Sequence, residues 1–355
     1  MKRTSVLEIS KSAFKHNIDE IKKYTNKEIM PTIKASAYGT YINRNLDLIK
    51  DFKIVSVALI SEAIELRELG FKNEIFTLYQ PYLEDIENII KYDITVGVCD
   101  LNFIKELSKL NNQVNIHLEI ETGMGRTGIF VDKLDEIIDV IRNSNNINVE
   151  GVYTHLSSAD IDEEYTLRQI EIFKQGVEKL KKYFNLKYIH CEASPGLRFK
   201  VDFCNLVRPG LIMYGYKCDD NFNEFGLQPV AKLKSKIAFI KEVPKGTSIG
   251  YSRSYITDKI TKVATINIGY ADGVRRGLSN KGFVVINNKK VPIIGKICMD
   301  SFMVDVSNIE CKVNDDVYIW DNDLITLDEI ANELNTISYE IISTITDRVE
   351  RRFVD

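Results

Sequence analysis

The sequence is poor in cysteine and has no paired-cysteine motif, and this excludes two kinds of site. Six cysteines are scattered over 355 residues. No two of them form a C-x-x-C pair, so neither a zinc ribbon nor a dithiol redox motif is indicated. A chain of this length can build a core without disulfides. We therefore expect reduced thiols, as in cytoplasmic proteins.

Long apolar runs and an excess of basic residues are also absent. No uninterrupted apolar run approaches the roughly 20 residues of a membrane span. The charged residues 1–3 are not followed by the apolar stretch of a signal peptide. The formal net charge is −4, whereas nucleic-acid binders usually carry a basic patch. We expect a cytoplasmic protein with no nucleic-acid partner and no membrane contact within this chain.

The first two thirds of the chain alternate strand and helix signals. Eight short runs rich in β-branched residues are separated, in most cases, by segments of helical period. These runs cover residues 30–34, 54–58, 74–79, 93–98, 114–120, 147–153, 186–190 and 204–213. Eight strand–helix repeats predict an α/β fold in which a closed parallel (β/α)8 TIM barrel is formed. An open doubly wound sheet is the competing architecture.

The pattern of predicted secondary structure changes after about Leu227. Short strands separated by turns are predicted at 237–243, 263–268, 282–286, 291–294, 302–306 and 317–320, with one helix near 327–334. This pattern is typical of a mostly β domain. The predicted division is a barrel over residues 1–227 and a β-rich C-terminal domain over residues 228–355.

Lys34 is the first candidate for chemistry. It ends the first predicted strand, and in a (β/α)8 barrel that end of each strand faces the mouth where catalytic groups lie. A desolvated lysine there can form a Schiff base with a carbonyl compound. Taken alone, a lysine at a strand end is more often a solvated side chain, so the surrounding sequence must decide.

Six segments, in order along the chain, resemble signature segments of the alanine racemase family. The first, residues 34–39, reads KASAYG where the family has Lys-Ala-Asn-Ala-Tyr-Gly. The others are TGMGRTG (122–128), THLSSAD (154–160), VRPGLIMYG (207–215), GY (250–251) with IGYADG (268–273), and GKICMD (295–300). One such match is weak support, but six in the family's order are strong. The resemblance implies a pyridoxal 5'-phosphate (PLP)-dependent racemase with a barrel followed by a β domain.

The resemblance assigns the two acid/base groups. Lys34 would bind PLP as a Schiff base and act on one face of the substrate, and Tyr251 would act on the other. A group on each face avoids swinging one side chain around the substrate. An unperturbed tyrosine is a poor base at neutral pH, and His155 and Arg208 match the family residues that assist it. Arg208 also matches the arginine that keeps the pyridine nitrogen unprotonated.

The remaining cofactor and substrate contacts also follow from the resemblance. Tyr38, Ser194, Gly210 and Leu211 match the family's phosphate contacts, although Ala193 stands where the family usually has asparagine before the serine. The substrate group consists of Arg126 and Met299 near the carboxylate, Asp300 beside Met299, and Tyr270 on the access path. Tyr251, Met299 and Asp300 would come from the partner subunit, so a homodimer with shared active sites is implied.

Two further positions depart from the family pattern. Where the family often has a carbamylated lysine that orients the arginine, this chain has Glu119, and we expect a bidentate Glu119–Arg126 pair. Where the family has an aromatic residue that narrows the pocket, this chain has Asp347, whose carboxylate could accept a hydrogen bond from a substrate hydroxyl. This favours serine, alongside alanine, as a substrate.

A small polar residue at position 347 resembles the serine racemases of vancomycin-resistance clusters. Those enzymes supply D-amino acids for peptidoglycan precursors, and they carry a membrane-embedded region in addition to a catalytic domain. This chain is expected to correspond to the catalytic domain. The full-length protein would then include the membrane region as well. The alternatives are a housekeeping alanine racemase, a PLP-dependent amino-acid decarboxylase and a non-catalytic PLP-binding protein. The GY and GKICMD segments favour a racemase, and the second domain disfavours a single-barrel PLP carrier.

Overall fold

The computed structural model describes residues 4–218 and 226–355. After a strand and a helix, Val6–Ser10 (β1) and Lys11–Thr25 (α1), the chain forms eight parallel strands. They are Glu28–Ile29 (β2), Ile54–Val57 (β3), Glu74–Thr77 (β4), Thr95–Val98 (β5), Val114–Glu119 (β6), Ile147–Tyr153 (β7), Tyr188–His190 (β8) and Leu206–Val207 (β9). Strands β3 to β8 form one sheet, and β2 pairs with β9. Parallel bridges from Thr32 to Ser56 and from Ala193 to Arg208 close the ring, so the predicted barrel is confirmed.

Helical segments follow most barrel strands. They are Lys34–Tyr38 (α2), Ile60–Glu68 (α3), Ile86–Lys91 (α4), Leu101–Leu107 (α5), Leu134–Arg142 (α6) and Glu163–Leu180 (α7). A short 3-10 turn, Leu211–Tyr214, follows β9, and α1 packs against it. Asn17 of α1 donates to the Met213 carbonyl at 3.0 Å, while the Ser10 hydroxyl caps α1 by accepting from the amide of Ala13. The helix that precedes the barrel thus completes its outer layer.

The second part of the chain is mostly β. Its strands are Ala231–Val243 (β10), Ser248–Ile249 (β11), Tyr255–Ile256 (β12), Thr261–Ile266 (β13), Phe283–Ile286 (β14), Lys289–Ile294 (β15), Phe302–Asp305 (β16), Asp316–Trp320 (β17) and Glu350–Val354 (β18), with helices Leu327–Glu333 (α8) and Ser338–Ser343 (α9). The eight-stranded sheet has the order β13-β16-β15-β14-β17-β10-β1-β18. Strand β10 also pairs with β13, which folds the sheet back on itself.

Strand β1 belongs to this second sheet, because it pairs antiparallel with β10 and parallel with β18. The sequence did not predict β1, β18, the β11–β12 hairpin or α9. Each is short, and β18 carries the charged residues Glu350, Arg351 and Arg352, which obscure the alternating pattern of a strand. The division of the chain into a barrel and a β domain at residue 227 stays a prediction. Strand β1 does not follow it, because it pairs within the sheet of the C-terminal part.

No helix within residues 4–218 or 226–355 combines the length and the apolar character that crossing a bilayer requires.

Candidate active site

A cavity of about 310 Å³ opens at the carboxyl ends of the barrel strands. Parallel strands of a closed barrel all end at the same face, so the residues that follow them meet there. Seven residues predicted from the sequence line this cavity: Lys34, Tyr38, Arg126, His155, Ser194, Arg208 and Gly210. Residues that lie far apart in the chain are therefore brought to one site.

Lys34 begins a short helical segment with left-handed backbone, which the sequence did not predict. The φ angles of Ala35, Ser36, Ala37 and Tyr38 lie between 52° and 57°, a region that costs about 1–2 kcal/mol per residue for side chains with a Cβ. The predicted strand through Lys34 in fact ends at Ile29. The reversed turn carries the Tyr38 side chain back into the cavity, where it is 8% exposed.

The Lys34 amine loses its proton more readily than an ordinary lysine does, because its pKa is lowered. Burial lowers its pKa from the ordinary lysine value, and the nearby Arg126 and Arg208 guanidiniums lower it further, while the Glu62 carboxylate opposes the change. Only the neutral amine is a nucleophile or a proton acceptor. The site therefore raises the fraction of Lys34 that can attack a carbonyl group at neutral pH.

Arg208 is buried, and its hydrogen bonds fix its direction. Nη1 donates to the His190 carbonyl at 2.9 Å and to His190 Nδ1 at 2.8 Å, and Nη2 donates to the Thr154 carbonyl at 2.9 Å. Since arginine has no acceptor, His190 Nδ1 must be unprotonated, and His190 Nε2 then donates to His117 Nδ1 at 2.9 Å. This chain of two neutral histidines was missed, because a single histidine in an apolar strand carries no motif.

His155 is neutral rather than cationic. Burial, followed by the charge of Arg208, lowers its pKa to about 3, and its Nδ1 lies 3.5 Å from Arg208 Nη2. Of the two residues predicted to assist Tyr251, Arg208 therefore carries the positive charge, and the assisting role of both stays a prediction. His155 can donate or accept a hydrogen bond at this position.

A compact cradle suited to an anion lies beside Tyr38. The Ser194 hydroxyl, 2% exposed, accepts from the Gly210 amide at 2.8 Å. A Cβ at Gly210 would lie 2.4 Å from the Tyr38 hydroxyl oxygen, so only glycine allows this close approach. Leu211 follows, buried, at the start of the turn Leu211–Tyr214. Two hydroxyls and glycine-opened backbone converge where a phosphate group would fit.

Both parts of the chain match one family. Residues 9–218 match the N-terminal domain of alanine racemases, and residues 230–353 match the C-terminal domain. Alanine racemases of Aquifex aeolicus and Aquifex pyrophilus are 35% and 37% identical to this chain over 350 and 352 residues, with 98% of each chain covered. The solved alanine racemase of Clostridium difficile aligns with a TM-score of 0.92 and 32% identity, covering 100% of this chain and 96% of that chain.

The chain belongs to the alanine racemase family. Enzymes of this family are isomerases that use pyridoxal 5'-phosphate. The cavity fits that cofactor: it holds a lysine with lowered pKa, a buried arginine and the cradle around Gly210. These relatives bear the name alanine racemase, and a closer relation to serine racemases of vancomycin-resistance clusters is not shown.

Arg126 acts on Glu119 through its charge, but the two side chains are not directly paired. The Arg126 guanidinium lies over the Tyr79 ring, 4.9 Å from its centroid, and Nη1 donates to the Tyr79 hydroxyl at 3.3 Å. No hydrogen bond or ion pair joins Glu119 to Arg126, two residues that are both described, so the expected bidentate contact is not formed. Burial raises the pKa of Glu119, and the charges of Arg126 and Arg208 partly offset this.

Four of the predicted alanine racemase site residues lie on the β domain, outside the cavity of their own chain. Tyr251, Tyr270, Met299 and Asp300 are exposed, Tyr251 by 68%. The amides of Tyr270 and Ala271 donate to the carbonyls of Cys298 and Met299 at 3.0 Å. These bonds hold the two loops together. Asp300 accepts from Arg348 Nη2 at 2.6 Å.

Asp347 already has a hydrogen-bond partner. Its Oδ1 accepts from the Tyr41 hydroxyl, and the Tyr41 ring lies near two guanidiniums, with centroid distances of 4.0 Å to Arg44 Cζ and 4.5 Å to Arg351 Cζ. Asp347 is exposed and does not line the cavity. Tyr41 was not predicted as a site residue, although it lies only seven positions after Lys34.

Proposed function

We propose that this protein interconverts L- and D-alanine with pyridoxal 5'-phosphate as cofactor. The observation that carries the proposal is the placement of Lys34, with its lowered pKa, in one cavity with buried Arg208 and the Gly210 cradle. Family membership supports the same chemistry. Bound PLP supplies the electron sink that makes the Cα–H bond of an amino acid acidic.

Each cavity residue then has a defined task. Lys34 would attach the cofactor through its amine, and the hydroxyls of Tyr38 and Ser194 with the backbone at Gly210 and Leu211 would hold the phosphate. Arg208, whose proton is not readily released, would hold the ring of the cofactor with its nitrogen unprotonated. The His190–His117 chain holds the Arg208 guanidinium in one orientation.

Two side chains handle the Cα proton, one on each face. Lys34 exchanges a proton on its face, and Tyr251 of the partner subunit exchanges a proton on the opposite face. Tyr251 projects from the β domain and does not line its own chain's cavity. This arrangement requires a homodimer in which each β domain covers the barrel of the other subunit. Neutral His155, at the cavity wall, is placed to hydrogen-bond the incoming phenol.

Substrate binding is proposed to be shared in the same way. Arg126 and the backbone amide of Met299 of the partner subunit bind the carboxylate, and Asp300 and Tyr270 of the partner subunit border the access path. Glu119 acts on Arg126 through charge rather than through a direct bond. Glu119→Gln should then raise KM for alanine only modestly, because no bidentate contact is lost.

Serine is the second candidate substrate. Asp347 supports it, since loss of the family's aromatic ring leaves room beside the substrate. Its carboxylate already accepts from Tyr41, however, and the relatives compared are alanine racemases. Alanine is therefore the better supported substrate, with a role in supplying D-alanine for peptidoglycan precursors.

A racemisation assay tests the proposal. Conversion of L- to D-alanine and uptake of deuterium at Cα are expected for the wild type, together with a visible absorption band from the bound cofactor. Lys34→Ala should lose both the band and activity, and Tyr251→Phe should keep the band but lose most of the activity. Carbon dioxide release from amino acids would instead indicate a decarboxylase, and absence of deuterium uptake would indicate a non-catalytic PLP-binding protein.

A further inference from the structure

The left-handed segment after Lys34 needs outside support at its lysine end. Inside the segment, the amides of Gly39 and Tyr41 donate to the carbonyls of Ala35 and Ser36 at 2.9 and 2.8 Å. At its far end, Arg351 Nε donates to the Gly39 carbonyl at 3.0 Å. Four successive residues with positive φ and a Cβ persist only where neighbouring groups hold them.

Glu62 supplies this support beside Lys34. Its Oε1 accepts from the Ala35 amide at 2.6 Å, the peptide that directly follows Lys34. Its Oε2 accepts from the amides of Ala58 and Leu59 at 2.7 and 3.1 Å. One carboxylate therefore joins the start of α2 to the start of α3, the segments that follow two neighbouring barrel strands.

The arrangement requires both carboxylate oxygens as acceptors. A glutamine at position 62 would have one acceptor oxygen and would turn an NH2 group toward the other amide donors. The single oxygen would stay with the two amides at the start of α3, and the bond to Ala35 would be lost. Glu62 is also an anion whose charge acts on Lys34, opposing the effect of Arg126 and Arg208.

We propose that Glu62 is a positioning residue that fixes the Lys34 turn through the Ala35 amide, so that the Lys34 amine meets the cofactor and the substrate's Cα. This role rests on the proposed racemase function. Glu62 does not line the cavity and acts through the backbone of the lysine segment. Substrate binding at Arg126 is separate from it, so kcat should depend on Glu62 more strongly than KM does.

Amide hydrogen exchange on the chain without added cofactor tests the holding role directly. In Glu62→Gln, peptides covering residues 34–41 should exchange about tenfold faster than in the wild type, with little change elsewhere in the barrel. Glu68→Gln is the matched control, because it removes the same charge from an exposed position of the same helix. It should leave both exchange and activity at wild-type values.

Steady-state kinetics provides the second readout. Glu62→Gln should lower kcat for alanine about tenfold while KM changes by less than about twofold. Glu62→Asp keeps the charge and the cap on α3, but its side chain is too short to reach the Ala35 amide as well. It should therefore show the same faster exchange in residues 34–41 and the same loss of kcat. This variant keeps the test decisive even if the glutamine variant does not fold.

The proposal is overturned if both position-62 variants keep wild-type exchange in residues 34–41, or if kcat and KM change together. A wild-type protein without racemase activity would overturn the proposed function, but the exchange comparison would still decide whether Glu62 holds the turn.

Discussion

Asp347 and Tyr41 form a contact that bears on substrate choice. Asp347 is predicted to stand in place of an aromatic side chain of the family, and the Tyr41 hydroxyl donates to its carboxylate. Any contribution of Asp347 to binding a substrate hydroxyl competes with this bond. A solvated carboxylate discriminates less strongly than one built into a dry pocket, so its effect on specificity should be moderate.

Asp347→Tyr should lower the ratio of kcat/KM for L-serine to that for L-alanine by about three- to tenfold, because it restores a bulky ring and removes the acceptor. Tyr41→Phe, which removes one donor to the same carboxylate, should shift the ratio in the opposite direction. The measurement is steady-state racemisation of both amino acids. An unchanged ratio in both variants would show that position 347 does not set specificity.

Some residues of the candidate site could be predicted from the sequence, and others could not. Lys34, Arg208 and Gly210 lie in segments whose order along the chain is itself informative, and the structure brings them to one cavity. His117, His190 and Glu62 were not recognised, because each is one polar residue in a regular strand or helix, and its partners are distant in the chain. The Tyr41–Asp347 contact spans 306 positions and could not be inferred from local pattern.

Secondary structure elements meet closely at the junction between α2 and α9. Gly39, with φ of 76°, ends α2, and a Cβ there would lie 2.6 Å from the Ile342 carbonyl oxygen. Two conditions therefore require glycine: a left-handed backbone and direct packing against α9. The junction ties the lysine segment of the barrel to the β domain of the same chain.

Gly39→Ala should reduce the free energy of unfolding by about 1–2 kcal/mol for the left-handed backbone alone, and by more because of the overlap with Ile342. Gly246→Ala separates the two effects, since Gly246 has φ of 85° but a Cβ added there would have no atom within 4 Å. Urea unfolding of both variants measures the difference. Equal losses would mean that the α9 contact adds nothing.

The barrel elements were largely predictable and some others were not. Buried parallel strands read as runs of β-branched residues, so all eight barrel strands were placed within a few residues. The left-handed α2 was not, since Ala-Ser-Ala-Tyr contains neither glycine nor asparagine to indicate positive φ. Strands β1 and β18 were missed because their pairing partners lie far away in the chain.

At the scale of the whole molecule, buried histidines link stability to pH. Burial lowers the pKa of His117 and His155 to about 3 and that of His190 well below its usual value. In the unfolded chain these rings titrate near pH 6.5. The unfolded state therefore binds more protons below that pH, and stability falls as pH decreases from about 6.5 toward 3.

The free energy of unfolding should consequently drop by up to about 1.4 kcal/mol per pH unit for each ring in this window. Urea unfolding at pH 7.5, 6.5 and 5.5 checks this. Replacing His117 with asparagine should flatten the profile. A wild-type profile that is flat between pH 6.5 and 5 would contradict the prediction.

A shared active site predicts complementation between inactive subunits. A heterodimer of Lys34→Ala and Tyr251→Phe chains would contain one site with both defects and one intact site. Random reassociation of equal amounts should therefore restore about a quarter of wild-type activity. If the mixture stays inactive although subunit exchange is demonstrated by mass spectrometry, Lys34 and Tyr251 act within one chain.

The pairing of β1 between β10 and β18 has a consequence for biosynthesis. Val6–Ser10 leaves the ribosome long before one of its neighbours, Glu350–Val354, has been made. At ordinary translation rates the nascent first strand waits on the order of tens of seconds for that neighbour. During this interval its exposed edge is open to mispairing, so chaperone dependence and sensitivity to slowed translation should concentrate in the first ten residues.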